Sequence, residues 1–316
     1  MLKAVLFPLL VLSGTAFAAD DAVVVTAMRD PVSKSYRKMV EGMELFERRR
    51  QLAPAASLRF KLLPRKYGTT LEDVALEIAA DSVAIPVRVA ADRTFTLERD
   101  PVALRENAKV MPNRKSGTMT WRADVRTPGL PANTRRLGDL RLECEVGMES
   151  DLISTYPAGF LGWLDRLVLA EGPRYCRRAA PRYLFFAERA LFSVTLVHGA
   201  RRESVPADRL WGGATRDKNW KKDLRYCDCE SLFDRSYFLP LGDESWPDDT
   251  LVEIETMDGR STGDAFGIGV STRAEIQAAF GEASVVNFGN GYAAWAYRDL
   301  VFLFAPSGEL AKTRLR

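Results

Sequence analysis

The sequence predicts a mainly β fold with minor α content, in which an antiparallel β-sandwich-like region is followed by a small C-terminal α+β meander module. Short runs of alternating apolar and polar residues begin at Ser57 and recur up to Met257, separated by Asp, Gly, Pro and Asn. A period of two with turn residues between the runs is typical of antiparallel strands. The C-terminal residues instead combine one helix-start signal with several turn-separated apolar runs.

The first residues have the pattern of a cleaved signal peptide. Lys3 supplies a positive charge, an apolar run covers residues 4–12, and Ala16-Phe17-Ala18 has the small residues that signal peptidase requires. We expect cleavage of residues 1–18 after Ala18, with Ala19 as the neighbouring choice. The alternative, a membrane anchor, is disfavoured because the run is too short for a hydrocarbon core of about 30 Å. No Cys lies near the cut, so we expect a periplasmic protein that is not a lipoprotein.

Residues 19–55 are expected to contain one strand and one helix. Ala22-Val23-Val24-Val25-Thr26 predicts the strand. The helical spacing of apolar residues over 33–52 predicts the helix, with Ser33 as its cap and Pro54 beyond its end.

Residues 56–258 form the predicted sandwich-like region. Alternation predicts strands, among them Leu58–Leu62, Thr118–Val125, Leu191–His198 and Thr250–Met257. The same period of two extends over Leu137–Cys144, which we also expect to be a strand. An apolar stretch near residues 159–170 predicts a short helical insertion in this region.

The C-terminal module, residues 259–316, begins with a polar, Gly-containing stretch. Thr272 and Glu275 have the spacing of a capping box at the start of a short helix, and Gly281 is placed to end it. Gly289-Asn290-Gly291 predicts a hairpin, because Asn-Gly readily adopts the positive φ of tight turns. Apolar runs before and after this turn then complete a meander.

The same module carries a succession of motifs. They are Gly269-Val270-Ser271-Thr272-Arg273-Ala274-Glu275-Ile276, Phe280-Gly281-Glu282-Ala283, Trp295-Ala296-Tyr297, Phe302-Leu303-Phe304 and Gly308-Glu309-Leu310. Over residues 264–316 this succession resembles the SmpA/OmlA family, small lipoproteins of outer-membrane β-barrel assembly. Ala283 stands where that family usually has Pro, and the lipid-bearing Cys is missing. The resemblance implies a module that binds a partner rather than one that catalyses a reaction.

The four cysteines, Cys144, Cys176, Cys227 and Cys229, predict two disulfides, because an even count in an oxidising compartment favours pairing. Cys227 and Cys229 are separated by one residue, so a bond between them would be strained. We therefore expect both to pair with the other two cysteines. A metal site, the alternative, would need Cys-x-x-Cys spacing or several His, and the sequence has one His. No metal or cofactor is expected.

Two adjacent segments carry opposite charge. Residues 174–225 contain 13 Lys/Arg and 5 Asp/Glu, whereas residues 226–264 contain 2 and 11. Either the two blocks face each other within the fold, or the basic block forms a patch for anionic lipid headgroups or a glycan.

The candidate binding surface combines aromatic and basic residues from two parts of the chain. Its members are Trp211, Lys218, Trp220, Lys221 and Lys222 of the basic block, with Trp295 and Tyr297 of the C-terminal module. Trp beside Lys suits sugar or peptide binding. The two C-terminal aromatic residues either present a sheet face to a protein partner or pack under the short helix.

Catalytic motifs are not visible in the sequence. His198 is the only His, and no Gly-x-Ser-x-Gly elbow accompanies it. The net charge of +3 argues against a nucleic-acid partner. The leading expectation is a soluble periplasmic binding or scaffold protein that acts through protein or envelope-component contacts. The alternative is an envelope hydrolase acting on glycan or peptide through acidic loop residues such as Asp243, Glu244, Asp248 and Asp249.

Overall fold

The computed structural model describes residues 32–65, 68–115, 117–152, 172–178, 183–215, 233–258, 272–297 and 300–315. Its secondary structure confirms the predicted class, because it is mainly β with minor α and its strand pairs are antiparallel. The predicted signal peptide, the predicted strand at residues 22–26 and the predicted helical insertion at 159–170 lie outside the described residues. Within the described ranges, no helix is both long and apolar enough to cross a membrane.

The N-terminal part opens with a two-residue strand and an amphipathic helix, β1 (Lys34–Ser35) and α1 (Tyr36–Arg48). Ser35 caps α1, since its hydroxyl accepts a hydrogen bond from the Lys38 amide. The predicted cap at Ser33 is therefore wrong by two residues. The reason is that β1 pairs with another strand, which keeps the chain extended up to the start of the helix.

Two antiparallel sheets and α1 enclose the first hydrophobic core. The elements that follow α1 are β2 (Ser57–Pro64), β3 (Leu76–Ala79), β4 (Ala84–Val87), β5 (Thr94–Phe95), α2 (Pro101–Arg105), β6 (Lys109–Pro112) and β7 (Met119–Arg126). One sheet has the strand order β1-β6-β3-β4 and the other β5-β2-β7. Aromatic side chains fill the core: the ring centroid of Phe95 lies 5.5 Å from that of Phe60 and 6.3 Å from that of Trp121.

Residues Leu137–Cys144, predicted as a strand, are instead helical and belong to α3 (Leu137–Glu149). One face of α3, with Leu140 and Cys144, packs into a second core, whereas the opposite face, with Val146, packs into the first. Because apolar residues are needed on two opposite sides of this helix, they recur in the sequence at a spacing that imitates a strand. The prediction of a strand is therefore wrong.

The second core lies between a central sheet and the C-terminal sheet. The central elements are β8 (Thr134–Arg136), α4 (Gly172–Cys176), β9 (Phe185–Phe186), β10 (Leu191–His198), β11 (Arg201–Ser204), β12 (Ser236–Tyr237) and β13 (Leu251–Thr256). The central sheet has the order β11-β10-β13-β8, and β9 pairs with β12. The predicted strands at Leu191–His198 and Thr250–Met257 are thereby confirmed.

The C-terminal part forms the predicted short helix and meander. Its elements are α5 (Arg273–Phe280), β14 (Ser284–Asn287), β15 (Ala293–Ala296), β16 (Leu300–Phe304) and β17 (Leu310–Leu315). The strands pair in chain order. One face of this sheet, with Val286 and Leu303, packs into the same core as Val194 of β10. The C-terminal sheet therefore shares a core with the central region.

Candidate functional site

The helix α5 forms as the sequence predicts, because local interactions define both of its ends. The Thr272 hydroxyl accepts a hydrogen bond from the Glu275 amide, and the Glu275 carboxylate accepts one from the Thr272 amide at 2.7 Å. Gly281 ends the helix with a φ of 79°, a conformation that favours glycine. The capping box and the glycine cap are both confirmed.

The register of the C-terminal sheet assigns its residues to two faces. Residues directly opposite each other in an antiparallel pair point to the same side. Val285, Trp295 and Phe302 form one such row on the side of α5. The next row, Ser284, Ala296, Val301 and Arg314, points to the opposite side, towards the central region. One face of the C-terminal sheet therefore carries the aromatic side chains, and the other face packs towards the second core.

Trp295 and Tyr297 lie on the α5 side and are half-buried there. The Trp295 ring is 5.3 Å from Phe304, and the Tyr297 ring is 5.9 Å from Phe302 and 5.5 Å from Phe280, measured between centroids. Both residues thus share one face, as predicted. They also pack against their neighbours, as in the alternative interpretation, so only part of each ring is available to a partner.

Two large apolar side chains remain exposed beside these rings. Phe280 is 36% exposed and Val285 is 49% exposed, and they are the exposed large hydrophobic residues of the described ranges. Val285 lies opposite Trp295 on the neighbouring strand, and Phe280 contacts Tyr297. We call Phe280, Val285, Trp295 and Tyr297 the aromatic patch. It is continuous and ends at the outer edge of β14.

The two edges of the C-terminal sheet differ in chemistry. On β17, Lys312 donates to Glu255 at 3.0 Å and to the Thr256 carbonyl at 2.7 Å, and Arg314 donates to the Val205 carbonyl at 2.6 Å. A register shift also interrupts the pairing of β16 with β17. Charges and bulges of this kind protect a sheet edge from further pairing.

The opposite edge, β14, has none of these protections. Its sequence is Ser-Val-Val-Asn, without charge or proline, and two β-branched residues favour an extended strand. β15 is its only neighbouring strand among the described residues. Within the described part of the chain, this uncharged edge without a second strand therefore coincides with the aromatic patch.

A cleft of about 650 Å³ lies behind this edge, between the core-facing row and residues 206–209. Asp208, Arg209, Glu282 and Arg314 supply two acidic and two basic side chains to its lining. Tyr297 stands at the cleft and donates its hydroxyl to the Gly281 carbonyl at 3.1 Å. Burial raises the pKa of Tyr297, so the phenol is a neutral hydrogen-bond donor.

Trp211, predicted to lie on the binding surface, is fully buried. Its indole N–H donates to the Leu191 carbonyl at 2.8 Å, and its ring lies 5.3 Å from that of Phe288. It thus holds the C-terminal sheet against β10, and its placement on a surface is wrong. Lys218, Trp220, Lys221 and Lys222 lie outside the described residues.

The predicted disulfide pairing is also wrong. Cys144 of α3 is bonded to Cys176 of α4, across 32 residues of sequence. These two cysteines therefore do not pair with Cys227 and Cys229, which lie outside the described residues. The expectation rested on the strain of a Cys227–Cys229 bond, whereas the packing of α3 against α4 brings Cys144 next to Cys176.

The acidic residues of the hydrolase alternative have separate partners. Asp248 pairs with Arg141 at 2.5 Å, whereas Asp249 lies 3.4 Å from His198. Hydrogen bonds from the Ser245 hydroxyl and amide lower the pKa of Asp243, which keeps this carboxyl ionised. Arg141, His198 and Ser245 are therefore the immediate neighbours of these three acids.

The two charge blocks contact each other through two ion pairs of the described residues. Arg202 pairs with Glu253 at 2.6 Å, and Arg189 pairs with Asp258. Both pairs join a base of the first block to an acid of the second. At these two pairs, the opposite charges of the two sequence segments neutralise each other within the fold.

Sequence reasoning missed a set of buried charges on α3. Glu143 accepts from Arg135 at 2.7 Å and from the Val125 amide at 3.1 Å, and Glu145 accepts from Arg49 at 2.9 Å. Burial raises the pKa of Glu143 against the opposing effect of Arg135. The helical spacing of Asp139 and Glu143 is the signal that could have revealed this helix.

Comparison with known proteins adds no relative: no protein-family model, no curated protein and no solved structure matches this chain. The resemblance of residues 264–316 to the SmpA/OmlA family stays a prediction. In the described part of the chain, no group of three or more His, Cys, Asp or Glu is placed to hold a metal ion.

Proposed function

We propose that this chain is a periplasmic binding or scaffold protein that acts through contacts with a protein partner at the β14 edge. The observation that carries the proposal is the coincidence of an unprotected sheet edge with exposed Val285 and Phe280. An exposed apolar surface beside an open edge is unusual in a monomer and typical of an interaction site.

The chemistry of the β14 edge indicates which kind of partner segment would bind there. An extended segment of the partner would add to β14 through main-chain hydrogen bonds, which provide affinity regardless of sequence. One of its alternate side chains would lie on Val285 and Trp295, which select an apolar residue at that position. The protein partner is therefore expected to contribute a short strand with apolar side chains on one face.

The proposed compartment rests on the N-terminal segment and on the disulfide. Residues 1–18 have the pattern of a signal peptide. The Cys144–Cys176 bond fits an oxidising compartment such as the periplasm. The resemblance to the SmpA/OmlA family also favours a binding role at the cell envelope.

The test is photo-crosslinking in the cells from which the sequence comes. A photoreactive residue replaces Val285, and a control chain carries it at exposed Glu203 on β11. We expect a discrete adduct with one envelope protein from position 285 and not from position 203. The same adduct should disappear when Phe280 is changed to Lys in the chain labelled at position 285, and persist with Phe280→Leu, because the patch needs apolar contact.

Three results would contradict the proposal. One is the same set of adducts from both positions, and another is an adduct with further copies of this chain alone. The third is turnover of envelope glycan or peptide that Asp249→Asn abolishes, since this would establish the hydrolase alternative.

A further inference from the structure

A second surface of the molecule is polar and lies on the outer face of the sheet β5-β2-β7. It is a groove of about 510 Å³. Its floor contains the cross-strand pairs Ser57–Arg126 and Arg59–Asp124. The turn at residues 91–93 forms one wall, and Glu188, between β9 and β10, forms another. Four basic and three acidic side chains line the groove.

Most of these charges belong to one alternating line that runs from α3 to the surface. The ion pairs are, in order, Glu143–Arg135 at 2.7 Å, Arg135–Asp124 at 4.0 Å, Asp124–Arg126 at 2.8 Å, Arg126–Glu188 at 3.0 Å and Glu188–Lys61 at 3.2 Å. Each carboxylate in this line has a basic neighbour. The line therefore fixes the positions of Arg126 and Lys61 in the groove.

Two further guanidinium groups of the groove pair with no carboxylate directly. Arg59 donates to the Thr94 hydroxyl, which in turn donates to Asp92 at 2.6 Å. Arg93 is exposed at the turn, and no ion pair joins it to another described residue. The groove thus has an excess of positive charge on the side of Arg93.

The contacts of the Glu188 carboxylate indicate which kind of ligand group the groove can bind. Its carboxylate lies across Lys61 and Arg126, although it comes from a different part of the fold and is 49% exposed. It occupies the position that the oxyanion of a ligand would take between two bases. A partly exposed ion pair of this kind is worth little, so an anion of higher charge can displace this carboxylate.

We infer that this groove binds a phosphoryl group, carried by a sugar phosphate or a lipid headgroup, in competition with Glu188. A phosphate monoester has about 1.5 to 2 negative charges at neutral pH, against one for Glu188. Arg126 and Arg93 offer planar donor pairs that suit phosphate oxygens. Exposed Ser57 adds a hydroxyl for the polar remainder of the ligand. This site shares no residue with the β14 edge and goes beyond the proposed function.

The experiment measures binding of glucose 6-phosphate by calorimetry, with glucose as the uncharged control. Glu188→Gln keeps the side-chain shape but removes the competing charge, so we expect severalfold tighter binding. Arg59→Gln with Arg93→Gln should weaken binding roughly tenfold, as for the loss of charged hydrogen bonds. Glu203→Gln removes a similarly exposed acid paired with Arg201 and should leave the affinity unchanged. Affinity should also fall with added salt.

A second arm distinguishes the two sources of the phosphoryl group. The protein is sedimented with vesicles of phosphatidic acid, whose headgroup is a phosphate monoester, in phosphatidylcholine and with vesicles of phosphatidylcholine alone. Preference for the sugar phosphate assigns a phosphorylated saccharide, whereas preference for phosphatidic acid vesicles assigns a lipid headgroup.

The inference is overturned if neither probe binds the Glu188→Gln variant. It is also overturned if binding is the same in Glu188→Gln, in the double Arg variant and in the unmodified protein. Circular dichroism of each variant verifies that it is folded. Glu188 lies in a turn at the surface, so its conservative substitution keeps the test decisive even if the Arg variants are unstable.

Discussion

The helices α3 and α5 have contrasting means of stabilisation. α3 has ten buried residues among 13 and no side-chain cap, and its Asp139, Glu143 and Glu145 accept hydrogen bonds from other parts of the chain. α5 has eight residues, of which one, Ile276, is buried, and it has a complete capping box. Tertiary contacts therefore hold α3, whereas hydrogen bonds within a few residues of sequence hold α5.

The largest expected effect is the loss of the buried ion pair between β8 and α3. Arg135→Ala leaves Glu143 buried without its main partner, and we expect a loss of about 3 to 5 kcal/mol in the free energy of unfolding. Urea denaturation measures it. The control is Arg202→Ala, because the Arg202–Glu253 pair is exposed and should contribute at most about 1 kcal/mol. Equal losses in the two variants would show that burial does not set the cost.

The next effect concerns the covalent attachment of α3 to α4. Replacing both Cys144 and Cys176 by Ala removes the bond, and we expect a loss of about 3 kcal/mol, because the unfolded chain gains conformational freedom. Urea denaturation in oxidising buffer measures this loss. Reducing agent should lower the stability of the unmodified protein towards that of the double variant. Unchanged stability in both experiments would mean that noncovalent packing alone holds α3.

A smaller effect is expected at the start of α5. Thr272→Ala removes the hydroxyl that caps the Glu275 amide, at a cost of about 1 kcal/mol. Because the cap is local, we expect faster hydrogen exchange of the α5 amides and little change in α3. Thr272→Ser, which retains the hydroxyl, is the matched control. Faster exchange throughout the second core would instead show that the two helices unfold as one unit.

The smallest effect is the pH dependence of α5. Hydrogen bonds from the Thr272 amide and hydroxyl lower the pKa of Glu275 in the folded state. A lowered folded-state pKa stabilises the protein above the unfolded-state pKa, and this contribution is lost as pH falls through the folded-state value. The protection factors of the α5 amides, which correct each exchange rate for the intrinsic pH dependence of amide exchange, should therefore fall in acid. Glu275→Gln should flatten this acid dependence, and a persistent dependence in that variant would assign it to another group.

Prediction from sequence succeeded where interactions between near neighbours dominate. The capping box of Thr272, the glycine at 281 and the Asn290-Gly291 turn each depend on a few adjacent residues, and each is present. The strands β10 and β13 were also predictable, since their alternation reflects one predominant buried face.

Prediction failed where the environment of a residue depends on distant parts of the chain. Trp211 lies in a basic segment whose composition suits a binding surface, yet it is buried by packing against Leu191 and Phe288. The line of charges from Glu143 to Lys61 connects α3, β8, β7, the turn at Glu188 and β2. The spacing of these residues in the sequence does not indicate that they lie close together. The sequence predicts β14 as a strand. The exposure of its outer edge, however, depends on where α5 and the central region lie.

By itself, the sequence determined the fold class, the local ends of α5, the meander and the extended character of most strands. These depend on hydrogen bonds, turn conformations and side-chain periods that act over a few residues. The tertiary structure decided that Leu137–Cys144 is a helix, that Cys144 pairs with Cys176, and which edge of the C-terminal sheet has no further strand among the described residues. Each of these results depends on which distant surfaces bury a residue, and burial between two cores stabilises a conformation that local periodicity does not favour.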